Sequence, residues 1–194
     1  MVYVVTLAEH QLSTDLHVEN TSKTESLEFQ ALLHNYFRVP ADEVTVTPLN
    51  GLSYYDKTET TKEARSSPKT ESRDEVTVTK RTDSVYENGP QKYRVAWPGG
   101  CIDIRVKNFK DVVVWNPQEE GRQIGDMEPD GWYVCHLFSN GQKNSFRNLG
   151  RSIFALSLDS LEGSCRSKQD RLGLASRFFP SLVINQSVEL LKAL

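Results

Sequence analysis

Short alternating segments between turn residues constrain this chain more than any other feature of its sequence. Leu12, Thr14, Leu16 and Val18 alternate with polar residues, as in a strand with one face in a core and the other in water. Comparable segments of strand length recur at 2–7, 29–37, 44–47, 52–56, 76–79, 82–86, 93–97, 101–106, 112–115 and 132–135. No helical period separates them, so the pattern predicts an all-β fold, an antiparallel β-sandwich.

The segment 29–37 is the longest apolar and aromatic stretch, and a histidine interrupts it. In a strand, Leu32, His34 and Tyr36 point to one face, and Leu33 and its alternate neighbours point to the other. A buried imidazole needs a hydrogen-bond partner or a pocket that uses it. On local pattern alone, His34 is a histidine satisfied within the core, since a lone histidine is weak evidence of catalysis.

Composition narrows the classes of partner. The chain has 194 residues and a net charge of −3, which favours one domain and makes nucleic acid an unexpected partner. No apolar run reaches the ~20 residues of a membrane-spanning helix, and the first residues lack the basic region of a signal peptide. The three cysteines, Cys101, Cys135 and Cys165, show no metal-like spacing. We therefore expect a reduced, cytoplasmic protein without a bound metal.

Two segments differ from the alternating pattern. Residues 57–75 hold five basic and five acidic groups and no large apolar residue. Too little surface is buried there to offset the entropy of ordering, so we expect a solvated loop.

The net charge changes sign after residue 137. It is −7 over residues 1–137 (15 Lys and Arg against 22 Asp and Glu) and +4 over residues 138–194 (8 against 4). Only residues 183–192 there show a weak helical spacing. We expect the sandwich to occupy 1–137 and a poorly ordered tail to occupy 138–194.

Several spaced motifs together resemble the glucose-6-phosphate 1-epimerase family, hexose-6-phosphate mutarotases of the galactose-mutarotase-like superfamily, in its plant form. The motifs are Leu-His-Asn-Tyr-Phe-Arg-Val at 33–39, Thr-Asp-Ser-Val-Tyr at 82–86, Val-Val-Trp-Asn-Pro at 113–117 and Gly-Asp-Met-Glu-Pro at 125–129. They follow the family's order from residue 2 to about 135. The resemblance implies an incomplete galactose-mutarotase-like supersandwich that takes a hexose 6-phosphate, as a monomer and without a cofactor.

The resemblance also implies roles for individual residues. His34 matches the family's catalytic histidine, the proton donor to the ring oxygen, and its ordinary pKa of ~6.5 suits that task. Asp83 matches a carboxylate that holds sugar hydroxyls, although an isolated aspartate at such a place is usually a turn residue. Trp115 and the Asn116-Pro117 pair match a signature that we assign to packing and to the turn. Glu128 lies in a turn, and we give it no role.

Two departures from the family bear on activity. The family's phosphate-binding arginines and a second active-site histidine lie in a region upstream of the matching part, so we expect sequence to be missing there. The family's catalytic base is a glutamate in a Glu-Pro-Gly motif, and here His136-Leu137-Phe138-Ser139 stands at that place. The alternative function is therefore an inactive, carbohydrate-binding β-sandwich, because such a sandwich can hold a sugar without turning it over.

Overall fold

Strands dominate the structure, a computed structural model that describes residues 1–9, 11–123, 134–140, 144–146, 151–162 and 184–192. One short helix, α1 (Lys62–Arg65), and one 3₁₀ helix (Gln118–Gln123) interrupt the strands of this described part. The strands are β1 (Val2–Leu7), β2 (Gln11–Glu19), β3 (Leu27–Arg38), β4 (Thr45–Thr47), β5 (Ser53–Asp56), β6 (Lys69–Thr70), β7 (Val76–Thr77), β8 (Thr82–Tyr86), β9 (Lys92–Trp97), β10 (Gly100–Lys107), β11 (Asp111–Asn116), β12 (Val134–Asn140), β13 (Asn144–Phe146), β14 (Arg151–Glu162) and β15 (Ile184–Lys192).

The strands form two antiparallel sheets, which confirms the predicted fold class. Within the described residues, the first sheet has the order β1-β2-β14-β10-β9-β4-β7. The second has the order β13-β3-β12-β11-β8-β5-β6, and β15 pairs with β3 as well. Neighbours in sequence, such as β9 and β10, pair across short turns; Gly99 takes a positive φ of 96° in the turn that joins these two, a conformation open to glycine.

Among the described residues, a hydrophobic core lies between the sheets, and alternation within strands such as β3 and β11 contributes to it. In β3, Leu33 and Phe37 are buried, whereas Leu32 and His34 on the opposite side of the strand are only half-buried. The buried side chains pack into one cluster with residues of the first sheet, such as Ile104. Each side chain of this size adds about 1.5–3 kcal/mol when it leaves water. The described side chains on the other face of the second sheet, the face that carries His34, lie outside this cluster.

The segment 57–75 is more structured than the expected solvated loop. It contains α1, which begins where the Thr61 hydroxyl accepts a hydrogen bond from the backbone N of Ala64, and β6, which pairs with β5. Most of its side chains are exposed, but Glu71 is buried. The charged groups that suggested solvation here pair with one another, as when Lys69 bridges Asp56 and Glu59.

The described strands beyond residue 137 pair with strands that precede it. The boundary falls inside β12, which pairs with both β3 and β11. In the other sheet, β14 lies between β2 and β10. The weak helical spacing at 183–192 was misleading, because β15 is a strand that pairs with β3 along its whole length. Backbone pairing with a neighbouring strand outweighs a weak intrinsic preference.

The expectation of reduced cysteines is wrong for Cys101, which is disulfide-bonded and buried. The cytoplasmic location, like the monomeric state, stays a prediction. No helix in the described part of the chain is long and apolar enough to cross a membrane.

Candidate functional site

The candidate site begins at His34, in the middle of β3. The strand places His34 on the same face as Leu32, Tyr36 and Arg38, all of them half-buried, and opposite the buried residues of the core. The Nε2 atom of His34 is shielded from solvent. The side chain of His34 thus lies on the sheet face opposite the hydrophobic core, even though its Nε2 atom is shielded from solvent.

Strand register connects His34 to Asp83 across the second sheet. His34 pairs with Phe138 of β12, Phe138 pairs with Val113 of β11, and Val113 pairs with Val85 of β8. Directly opposed residues of antiparallel strands share a face, and so do residues two apart along one strand. Asp83 is two residues from Val85, so it lies on the same face as His34.

The next row of paired residues gives the lateral distance. Asp83 pairs with Trp115, Trp115 with His136, and His136 with Tyr36. Asp83 and Tyr36 are thus three strands apart, which corresponds to about 14 Å between their backbones. His34 lies one row away from Tyr36. The histidine and the carboxylate face the same space from either side of two intervening strands.

The described part of the surface around them is largely aromatic and apolar. We call it the site face and define it by the described, half-buried residues of four strands: Leu32, His34, Tyr36 and Arg38 of β3; Val113 and Trp115 of β11; Asp83 and Val85 of β8; and Tyr55 of β5. Lys57 borders it, with its Nζ 4.9 Å from the centre of the Tyr55 ring. Aromatic rings combined with a few polar groups are typical of small-molecule sites.

Electrostatics sets Asp83 apart on this face. Burial raises the pKa of its carboxyl group, and the nearby charges of Arg81 and Lys57 oppose that rise while Asp56 adds to it. Among the described residues, no donor hydrogen-bonds the carboxylate. The backbone oxygen of Asp83 does accept a bond of 2.7 Å from the N of Lys57. A carboxylate partly removed from water and without donors has hydrogen-bonding capacity left for a ligand.

The remaining residues singled out in the sequence have mixed outcomes. Asn116 is fully buried, and its Oδ1 accepts a bond of 2.7 Å from the backbone N of Gln118, which confirms its role in packing and in the turn. Trp115 lies on the site face, where sequence reasoning assigned it to packing alone. The alternation within β11 could have revealed this, once Asn116 was known to point into the core. Glu128 lies outside the described residues.

Arg38 and Tyr55 are further members of the site face that sequence reasoning did not single out. Arg38 ends the same strand as His34, at the even spacing that keeps it on the same side. No signal within residues 52–56 alone shows which strand lies beside them, so Tyr55 could be found only from the sheet order. Within the described part of the chain, no group of three or more His, Cys, Asp or Glu residues could hold a metal ion.

Comparison with known proteins defines the class. The chain resembles the candidate mutarotase YeaD from Salmonella typhimurium (TM-score 0.60, 18% identity) over 82% of this chain and 65% of that one. It resembles the candidate aldose 1-epimerase b2544 from Escherichia coli K12 (TM-score 0.61, 12% identity) over 82% and 59%. The galactose 1-epimerase of Lactobacillus acidophilus NCFM matches at TM-score 0.50 and 8% identity, over 83% and 66%. These likenesses establish a galactose-mutarotase-like fold.

The family follows from a sequence model as well. The model of the aldose 1-epimerase family matches residues 1–148. The chain therefore belongs to the aldose 1-epimerase family. It spans 65% and 59% of the length of the Salmonella and Escherichia coli proteins. The family match extends past residue 137, the boundary expected from composition, and includes β12.

Proposed function

We propose that the chain carries the sugar site of a glucose-6-phosphate 1-epimerase, an isomerase that interconverts the α and β anomers of a hexose 6-phosphate. The observation that supports this most is the shared face of His34 and Asp83, with Tyr36 and Trp115 between them. An aromatic floor between a proton donor and a carboxylate suits a sugar ring, which presents apolar C–H faces and hydroxyl edges.

In this proposal the two residues have separate tasks. An acid protonates the ring oxygen while a base removes the proton from O1; the ring opens, the C1–C2 bond rotates, and closure inverts C1. His34 serves as the acid. Asp83 accepts hydrogen bonds from sugar hydroxyls and fixes the ring over the site face. The reaction needs no cofactor, because the hemiacetal already contains both the nucleophile and the leaving group.

A second candidate function is sugar binding without turnover. The described strand β12 has the sequence Val-Cys-His-Leu-Phe-Ser-Asn and contains no glutamate, so it supplies no counterpart of the family's base. A positioned general acid or base contributes roughly 10²–10⁴-fold. We therefore expect the chain as it stands to be a poor epimerase or an inactive one that still binds the sugar.

An anomerisation assay with glucose 6-phosphate tests the proposal. We expect at most a small rate enhancement over the spontaneous reaction, and its loss in His34→Ala. His17→Ala is the matched control, because His17 lies on β2 of the other sheet and its replacement should change nothing. Binding without any enhancement would favour the second candidate.

Two outcomes of the same assay would contradict these expectations. An enhancement that His34→Ala leaves intact would remove His34 from the mechanism. A large enhancement that vanishes in His34→Ala would show that another group acts as the base. His136 is then the first residue to test, since it pairs with Trp115 and Tyr36 in the row between Asp83 and β3.

A further inference from the structure

The strand β1 forms an exposed edge of the first sheet. Among the described strands, it pairs with β2 alone and stands at one end of the strand order. All six of its residues are exposed, including the apolar side chains of Val5 (56%) and Leu7 (80%). Its sequence, Val-Tyr-Val-Val-Thr-Leu, contains no charged residue and no proline, the residues that commonly protect a sheet edge from a further strand. The composition of β1 therefore favours pairing along both of its edges.

The hydrogen-bond pattern shows which backbone groups of β1 point to the outer edge of the sheet. The N of Ala8 donates a bond of 2.8 Å to the O of Gln11, at the turn that joins β1 to β2. Hydrogen-bonded and non-hydrogen-bonded pairs alternate along an antiparallel ladder. The backbone of Thr6 thus bonds to β2, whereas the backbone groups of Val5 and Leu7 point away from β2. An edge of this kind can add another antiparallel strand.

The side chains of β1 continue the apolar face of the first sheet. Tyr3 pairs with Leu16, which is fully buried in the core. Leu7 pairs with Leu12, which packs against that core. Directly opposed residues share a face, so Tyr3, Val5 and Leu7 extend the core side of the sheet beyond β2. A strand added next to β1 would lengthen this apolar face.

A second copy of β1 fits this edge when a two-fold axis passes through Val5. Val5 then lies opposite Val5 of the second copy, and Tyr3 lies opposite Leu7 of that copy. The outward backbone groups of the two Val5 residues meet, and both copies keep the same side chains on the core side. On that side, one row runs from Leu16 through Tyr3 to Leu7 of the second copy. Aromatic and aliphatic side chains opposed in this way stabilise sheets.

Charge disfavours the neighbouring register, with the axis at Val4. Val4 pairs with Asp15 of β2, so the two Asp15 residues would share one row and one face, about 14 Å apart. The axis at Val5 instead sets Val4 opposite Thr6 of the second copy, and Thr6 pairs with Ser13. That row contains one carboxylate and two hydroxyl groups, and no two like charges share it.

We propose that two copies of the chain associate reversibly through β1, in antiparallel pairing about a two-fold axis at Val5. The six residues of β1 are fewer than the roughly 20–30 that each partner contributes to a stable interface of standard size. We therefore expect a weak dimer, with a Kd on the order of 0.1 mM. The monomeric state expected from the resemblance then describes the dilute protein. The sugar site does not enter this inference, because β1 and His34 lie on different sheets.

Sedimentation velocity of the full, unaltered chain between about 10 µM and about 1 mM tests the association. We expect the sedimentation coefficient to rise from that of a monomer toward that of a dimer and no further, because the two-fold pairing uses this edge in both copies. A monomer at every concentration would overturn the proposal, and so would growth into larger assemblies. A chain that stays monomeric but binds an unrelated extended peptide along β1 would assign the edge to another protein.

Charge variants at Val5 test the register. Val5→Lys and Val5→Glu each set two like charges directly opposite one another, so either variant alone should dimerise at least 10-fold more weakly than the unaltered chain. An equimolar mixture of the two should regain the dimer, because opposite charges then face each other. Val5 is more than half exposed, so both variants should keep the far-UV circular dichroism of the unaltered chain.

Thr77→Lys is the matched control, since Thr77 is exposed on β7, at the other end of the strand order of the same sheet. This variant should dimerise as the unaltered chain does. Three results would each overturn the proposal: an equal loss of the dimer in Thr77→Lys, full dimerisation of Val5→Lys alone, or a mixture of Val5→Lys and Val5→Glu that stays monomeric.

Discussion

Two carboxylates near β8 lie in opposite environments. Glu71 is buried on the core side of the second sheet, where its Oε2 accepts a bond of 2.7 Å from the hydroxyl of Tyr86. Asp83 is half-buried on the site face, three residues before Tyr86 in the same strand. Burial alone would raise the pKa of both groups. It does so for Asp83, yet the pKa of Glu71 falls to about 2.

The number of donors accounts for the difference. Desolvation is the largest influence on Glu71, but it is overcome by hydrogen bonds from the side chain and backbone of Arg73 and from Tyr86, and by the charge of Arg73. The side chain of Arg73 binds both carboxylate oxygens, at 2.8 and 2.7 Å. Asp83 has nearby cations and no such donors among the described residues. A carboxylate whose oxygens all accept hydrogen bonds from the protein stabilises the fold. A carboxylate whose oxygens can still accept hydrogen bonds is suited to binding a ligand.

Replacement of Glu71 should have the largest effect on stability. Glu71→Gln removes the negative charge that accepts hydrogen bonds from Arg73 and Tyr86. Hydrogen bonds to a buried charge are each worth about 1.5–3 kcal/mol. We expect the free energy of unfolding, measured by urea denaturation, to fall by about 3 kcal/mol. Glu75→Gln, at an exposed position in the same segment, is the control and should change it by less than about 0.5 kcal/mol. Equal effects of the two variants would mean that the buried cluster does not stabilise the fold.

Acid should remove the same contribution from the unaltered chain. The pKa of Glu71 is lowered from 4.5 to about 2 on folding, so its stabilisation is fully present above pH 4.5 and is lost as the pH falls toward 2. The shift corresponds to about 3 kcal/mol. Urea denaturation at several pH values in this range should show a steeper loss of stability for the unaltered chain than for Glu71→Gln. Parallel curves would contradict the assignment.

The contrast between Glu71 and Asp83 also shows what sequence could and could not provide. Strand alternation placed His34 and Tyr36 together and predicted most of the strands, because a half-buried strand repeats every two residues. The motif at 82–86 singled out Asp83, whose role in sugar binding stays a prediction. Glu71 was missed, since it lies in a run of balanced charges and its partner Tyr86 is distant in sequence. Sheet order is equally non-local, and nothing in the spacing of residues 183–192 showed that β3 would hold them as a strand.

The smallest predicted effect on stability has the opposite sign. Burial raises the pKa of Asp83, so the ionised group costs stability near neutral pH, and this cost disappears at low pH, where the group is protonated in both the folded and unfolded chain. Asp83→Asn removes the charge at all pH values. We expect the free energy of unfolding at pH 7 to rise by up to about 1 kcal/mol, as is common when a functional group is removed from its site, while sugar binding weakens about 10-fold with the loss of a charged acceptor.

Asp103→Asn is the matched control: hydrogen bonds from Arg94 lower the pKa of Asp103, so this change should slightly destabilise the fold and leave sugar binding intact. The gain from Asp83→Asn should also vanish under acid, because the unaltered chain is then neutral at that position too. A loss of stability in Asp83→Asn at pH 7, with sugar binding unchanged, would assign Asp83 to the fold and remove it from the site.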